Sequence, residues 1–240
     1  CSSVSLTASR NYEKTRKEFS LEVPESFNFG FDVVDRWAED RTKLALMVAN
    51  EDGTVIKKRT FYAVKRLSNK FANVLREQGL KKGDRVLVML HWMPQWYIAM
   101  IGMIKLGVIP IPSTTLLTPK DIRYRINESG AVGVVIDIQD ASKVEAELDN
   151  CPSMKSLILA TGRRKGWVEW DRAMDDASPC LDDVERTRSG DTMLLYFTSG
   201  TVSYPKMVLH TQASYAIGHK ITATYWQDLK PTDLHWTVTD

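Results

Sequence analysis

The spacing of apolar positions along the chain changes period repeatedly, and each change marks an element. Residues up to about 24 are polar and aperiodic, which predicts a loose arm. Residues 32–37 read as a short helix and the apolar run 44–48 as a strand. Asp52-Gly53 is a hairpin signal, so residues 54–59 should return as the partner strand. From Thr60 the spacing turns helical. Val64, Leu67, Phe71, Val74 and Leu75 share one face, with Thr60 as the N-cap and Gly79 just past the last turn. Residues 85–90 read as a β-branched and aliphatic strand. Pro94 suits the first turn of a helix, and residues 96–106, apolar nearly all round, predict a buried helix that Gly107 stops.

The alternation then repeats. Residues 108–111 predict a strand, Thr118-Pro119 opens a helix that Gly130 ends, and residues 132–136, 141–149 and 156–159 predict strand, helix and strand. Strands with few polar positions between helices of about ten residues imply βαβ crossovers, because a strand buried on both faces has no polar side. The expected fold class is therefore α/β: a doubly wound, mostly parallel sheet with helices on both faces, nearly complete between residues 50 and 189. The mixed, charge-rich segment 161–189 reads as mostly surface, and Trp92 and Trp96, four residues apart around the buried helix, read as core.

Composition narrows the function classes. Of 240 residues 43% are hydrophobic and 26% charged, with a formal net charge of +2, so charge gives no reason to expect a nucleic-acid or membrane-surface partner. No apolar run approaches the roughly 18 residues of a membrane span. Cys1, Cys151 and Cys180 form no C-x-x-C pair, which points to a reducing compartment and away from structural zinc. A cytoplasmic location is expected, with the mitochondrial matrix as the alternative: residues 1–10 are rich in Ser and Thr and hold Arg10 but no acid, yet they read as ordinary disorder before the end of a transit peptide. His91, His210, His219 and His235 are scattered without metal spacing, so no metal ligand is assigned and packing or surface roles are expected. Arg163-Arg164-Lys165 reads as a solvated loop.

The stretch that carries chemistry begins where the apolar run 193–197 breaks into Thr198, Ser199, Gly200, Thr201, Val202 and Ser203, followed by Tyr204, Pro205 and Lys206. Gly and small hydroxyl residues let backbone N–H groups approach an anion, hydroxyls add donors, and a lysine supplies charge. Such a loop suits nucleotide phosphates, although G-x-x-x-x-G-K-[ST] occurs nowhere in the chain. On composition alone a plain Ser/Thr-rich turn between strands fits as well. An exposed loop after a strand is expected in either case.

The string itself resembles T-S-G-[ST]-[TS]-G-x-P-K, the signature of the adenylate-forming superfamily. Gly83-Asp84-Arg85-Val86, Pro94, Gly107 and Pro110 match that family's earlier block in order and spacing. Phe27-Asn28-Phe29, Asp32-Val33-Val34-Asp35, Tyr204-Pro205-Lys206-Met207, Tyr225-Trp226-Gln227-Asp228-Leu229 and the segment 234–240 look like its medium-chain acyl-CoA synthetase branch. The resemblance implies an arm over residues 1–26 and the N-terminal part of an AMP-binding domain over 27–240. Residues 50–189 would be its first α/β subdomain, and 27–49 with 190–240 the start of a second. It implies an ATP-dependent, AMP-forming acid–thiol ligase that uses ATP, Mg2+ and CoA to activate a medium-chain carboxylic acid, with a homo-oligomer possible. The loop from Thr198 to Lys206 would close over the β- and γ-phosphates, and Trp226 would line the acyl pocket.

Two departures qualify the resemblance. Val202-Ser203 stands where the family places a hydroxyl residue and Gly. The family's essential catalytic groups are expected beyond Asp240, so the 240-residue chain alone is expected to be inactive. Another adenylating ligase of the superfamily, or a non-catalytic remnant of a synthetase, are the alternative readings.

Overall fold

A computed structural model describes residues 12–198 and 204–236. After a short helix α1 (Tyr12–Glu18), the first built-in segment is a π-helical turn, Phe29–Asp35, which starts three residues before the predicted helix. The cause is Asn28, whose buried carboxamide oxygen accepts from Gly30 and Phe31 N–H at 3.0 and 3.2 Å. Strands β1 (Leu44–Ala49) and β2 (Val55–Thr60) form the antiparallel hairpin that Asp52-Gly53 predicts, with Gly53 at φ +83°.

Helix α2 (Phe61–Glu77) begins where Thr60 Oγ1 accepts from Ala63 N–H. Strand β3 (Arg85–Met89) leads to helix α3 (Pro94–Leu106), which Gly107 closes in the left-handed conformation at φ +75°. Strand β4 (Ile109–Pro112), helix α4 (Pro119–Ser129), strand β5 (Gly133–Ile136), helix α5 (Ala141–Glu145) and strand β6 (Ser156–Leu159) follow. Thr118 and Asp121 close a reciprocal capping box at the start of α4.

These strands form a parallel sheet in the order β4-β3-β5-β6-β7, the last being β7 (Val168–Glu169). Alternate side chains feed two separate cores. Val86, Val88, Val135 and Ile158 pack with Phe71 and Leu75 of α2 and Ala99 and Met103 of α3. Leu87, Met89, Val134, Ile136 and Leu159 pack with Ile122 and Ile126 of α4 and Val144 of α5. Helices thus cover both faces, which makes the sheet doubly wound as the sequence implies.

The segment 161–189 is mostly exposed, as its sequence implies, yet it also contributes β7 and helix α6 (Trp170–Asp176), whose Trp170 stacks on Phe71 with ring centroids 4.6 Å apart. The expectation for Trp92 and Trp96 needs correction. Trp92 is 64% exposed, since it lies two residues ahead of the helix that Pro94 starts, and Trp96 is only half-buried.

The chain then forms strand β8 (Thr192–Thr198), strand β9 (Lys206–Thr211) and helix α7 (Gln212–Ile221). Strands β8 and β9 make their own antiparallel pair, and Met193, Leu194 and Leu195 of β8 are buried in the two cores. The N-terminal segment meets this region through a bridge between Ser26 and Arg188 and through several hydrogen bonds, among them Phe27 N–H to Thr187 O at 3.2 Å, Ser189 N–H to Glu25 O at 3.0 Å and Phe29 N–H to Gln212 Oε1 at 3.0 Å. The β1–β2 and β8–β9 pairs remain separate sheets.

Candidate functional site: the β8–β9 junction

Strand β8 ends at Thr198 and β9 begins at Lys206, and these two residues are cross-strand partners, as are Phe197 and Met207. The Thr198 hydroxyl donates to Lys206 O at 3.4 Å. The two ends of the signature string are therefore brought side by side at the mouth of a hairpin, both exposed to solvent. Ser199, Gly200, Thr201, Val202 and Ser203 lie outside the described residues. Of the described part of the string, Thr198 ends β8 and Lys206 begins β9, with Tyr204 and Pro205 just ahead of it.

The returning stem leans on helix α4. The Tyr204 ring stacks on Tyr124 with centroids 4.8 Å apart and planes 24° apart, and the Tyr124 hydroxyl donates to Pro205 O at 3.0 Å. Tyr124 also meets Phe197 edge-on at 6.1 Å, and the Arg125 guanidinium sits 5.3 Å over the Phe197 ring. Burial pushes the Arg125 pKa down, with Asp121 opposing the shift. An open cleft of about 340 Å³ runs between Tyr204 and α4, lined also by Lys120, Arg123 and Asn127.

On the other side of β9, His210 lies in an aromatic cluster, 5.8 Å from Tyr196 and 6.0 Å from Tyr215. Burial holds both tyrosines protonated well above the usual phenol range. These rings pack the strand against α7, and neither tyrosine ionises near neutrality. Trp226 belongs to a different element, the π-helical turn Thr222–Trp226 after α7, where it is 84% exposed.

Sequence reasoning named the string but missed Tyr124, whose partners lie 81 residues further on. Its only local signal is an aromatic ring on an otherwise charged helix face. Among the described residues no group of three or more His, Cys, Asp or Glu side chains is placed to hold a metal ion.

Thr198 and Lys206 thus stand together at one end of a strand pair in a chain built on a doubly wound parallel sheet. Residues 34–240 match the AMP-binding enzyme family, and the chain belongs to it. The human acyl-coenzyme A synthetase ACSM3, mitochondrial, is 36% identical over 238 residues, covering 96% of this chain and 40% of the relative. Mouse acyl-coenzyme A synthetase ACSM5, mitochondrial, is 38% identical over 226 residues, covering 91% and 39%. Among solved structures, an acyl-CoA synthetase from Brucella canis superposes with a TM-score of 0.79 at 25% identity, over 96% of this chain and 41% of its own. The anthranilate CoA ligase AuaEII, solved with anthranoyl-AMP, shares the fold with a TM-score of 0.75 at 20% identity, over 85% of this chain and 38% of its own. The chain spans about two fifths of the length of the curated relatives it matches.

Proposed function

We propose that the complete protein bearing this chain is an ATP-dependent, AMP-forming acyl-CoA synthetase acting on a medium-chain carboxylic acid. The observation that carries the reading is the juxtaposition of Thr198 and Lys206 at one hairpin mouth, the two ends of a phosphate-binding string, within a member of the AMP-binding family. In this reading residues 198–206 hold the ATP phosphates, with Lys206 and the hydroxyls of Thr198, Ser199 and Thr201 as charge and donors. A carboxylate oxygen attacks the α-phosphorus, pyrophosphate leaves, and the CoA thiol then displaces AMP from the acyl carbon. A carboxylate is a poor electrophile, so adenylation supplies the leaving group, and the loop's part is to hold the departing phosphates in line.

We assign residues 1–26 to an arm and 27–240 to the N-terminal part of the AMP-binding domain, with Trp226 on the wall of the acyl pocket. The mitochondrial relatives favour a mitochondrial location over the cytoplasmic expectation. Among the described residues no helix is long and apolar enough to cross a membrane.

The test is acid-dependent exchange of labelled pyrophosphate into ATP by the complete protein, followed by thioester formation on adding CoA, across a series of acids of increasing length. Exchange that peaks at medium length supports the reading, and no exchange with any acid removes it. Val202-Ser203 in place of the family's hydroxyl–Gly pair favours a second reading, a remnant that no longer adenylates. Calorimetric titration with ATP separates a remnant without affinity from a ligase tested on the wrong acid.

A further inference from the structure

Helix α4 belongs to the first α/β layer, and nothing in the proposed chemistry requires it. Yet one of its side chains touches both stems of the hairpin mouth. Tyr124 stacks on Tyr204 at 4.8 Å, donates to Pro205 O at 3.0 Å and meets Phe197 edge-on at 6.1 Å. Its base is fixed independently, because α4 is pinned to the sheet by the fully buried Ile122 and Ile126 and started by the Thr118–Asp121 capping box. Helix α4 thus provides a rigid mount for the ring. By contrast Tyr204, Lys206, Met207 and Val208 are exposed, so beyond the pairing of β9 with β8 few side chains pack on the returning stem.

We infer that Tyr124 is a positioning residue for Lys206: it clamps the Tyr204–Pro205 segment so that the lysine emerges at a fixed place and angle. The physical basis is short leverage. Pro205 has a restricted φ, so a hydrogen bond to its carbonyl oxygen and a stack on the preceding ring together fix the peptide that leads into Lys206. The inference rests on the ATP-phosphate role proposed for Lys206, and extends it to a residue of another layer.

The test uses Tyr124→Phe, which keeps the ring and loses the donor, Tyr124→Leu, which loses both, and Tyr204→Leu. The first readout needs no nucleotide: the rate of tryptic cleavage after Lys206 in the 240-residue chain. Cleavage should rise about fivefold in Tyr124→Phe, the worth of one neutral hydrogen bond, and about twentyfold or more in Tyr124→Leu. Adding Tyr204→Leu to Tyr124→Leu should add little, since the two rings act as one unit. Equal cleavage in wild type and Tyr124→Leu overturns the inference. The second readout, in the complete protein, is the Michaelis constant for ATP, which should rise by similar factors while those for acid and CoA stay within about twofold. A parallel rise of all three together with a lower melting temperature would reduce Tyr124 to packing and overturn it as well. Failure of ATP to slow cleavage after Lys206 in wild type would instead remove the phosphate role of the loop, leaving the clamp to be judged by the nucleotide-free rates.

Discussion

The ammonium group of Lys105 lies 2.6 Å from the Asp35 carboxylate, with the lysine side chain wholly buried between α2, α3 and the π-helical turn. The lysine also donates to Asn69 Oδ1 at 2.8 Å, and Lys65 approaches Asp35 at 3.9 Å from the solvent side. A charge this deep ties the segment Phe29–Asp35 to α2 and α3, and its removal from either side is predicted to have unequal effects. Asp35→Ala strands a buried ammonium and should lower unfolding stability by about 3–5 kcal/mol. Lys105→Met fills the same space, and Asp35 still has Lys65, so the loss should be about 1 kcal/mol. Urea unfolding of the chain decides; equal losses would refute the asymmetry.

The same pair predicts a pH dependence. Burial depresses the Lys105 pKa to about 8, against the opposing pull of Asp35. A lysine whose folded pKa lies below its unfolded value of 10.5 binds more protons when unfolded. Between about pH 8 and 10.5 the wild type should therefore gain stability with rising pH relative to Lys105→Met, by roughly 3 kcal/mol over the window. Below pH 8 the difference should be flat. Unfolding curves of both proteins across that range give the comparison directly, and a difference that shrinks with pH would contradict the depressed pKa.

Helices α2 and α3 cross where Gly102 has no side chain. A methyl group there would lie 2.8 Å from Ser68 O and 3.1 Å from the Phe71 ring. Alanine is the better helix former by about 1 kcal/mol, but a clash with a backbone carbonyl moves a whole helix, and overpacking of this kind costs about 1–3 kcal/mol. Gly102→Ala should therefore destabilise by about 1–2 kcal/mol, read as a lower midpoint in urea with the slope unchanged. A midpoint at or above wild type would show that the crossing relaxes freely.

What the sequence made legible was local or periodic. Thr60, Pro94, Thr118, Gly107 and Gly130 announce helix ends through chemistry confined to a few residues, and the alternation of apolar strands with helices forces the parallel sheet. Trp92 was misread because its spacing from Trp96 was counted as helical, while Pro94 starts the helix between them. Helix α6 was hidden because Arg172 and three aspartates interrupt its apolar positions, and only contact with distant Phe71 shows Trp170 to be core. The string at the β8–β9 mouth was visible as a string. Its support on Tyr124 was not, because no periodicity links residues about 80 positions apart.

Trp226 offers a test of the substrate assignment. Its indole is 84% exposed on the turn after α7, a large flat surface that the described residues leave uncovered. If it forms a wall of the acyl pocket, Trp226→Ala in the complete protein should move the preferred acid to greater length. The Michaelis constant for ATP should change less than about twofold, because the loop is untouched. Unchanged acid preference would assign Trp226 to packing against other parts of the protein.

The remaining prediction concerns the two positions where this chain departs from the family string. Val202 stands in place of a hydroxyl donor, and one hydrogen bond to a charged acceptor is worth about 1.5–3 kcal/mol. Ser203 stands in place of a Gly, whose missing Cβ permits backbone conformations and close approach to phosphate that other residues reach only at about 1–3 kcal/mol. In the proposed reading Lys206, Thr198, Ser199 and Thr201 still supply charge and donors, so affinity for ATP should be weakened and not abolished. Restoring both positions with Val202→Thr and Ser203→Gly in the complete protein should then raise kcat/KM for ATP at least about tenfold, since each change alone is worth roughly that factor. Single substitutions separate the two effects: Val202→Thr acts through the donor, and Ser203→Gly through the backbone, so the latter should also be mimicked by no other small residue, Ala included. Equal activity of the native and restored loops would mean that the hydroxyl–Gly pair is dispensable in this protein and that the lost donor and added Cβ are compensated elsewhere in the site.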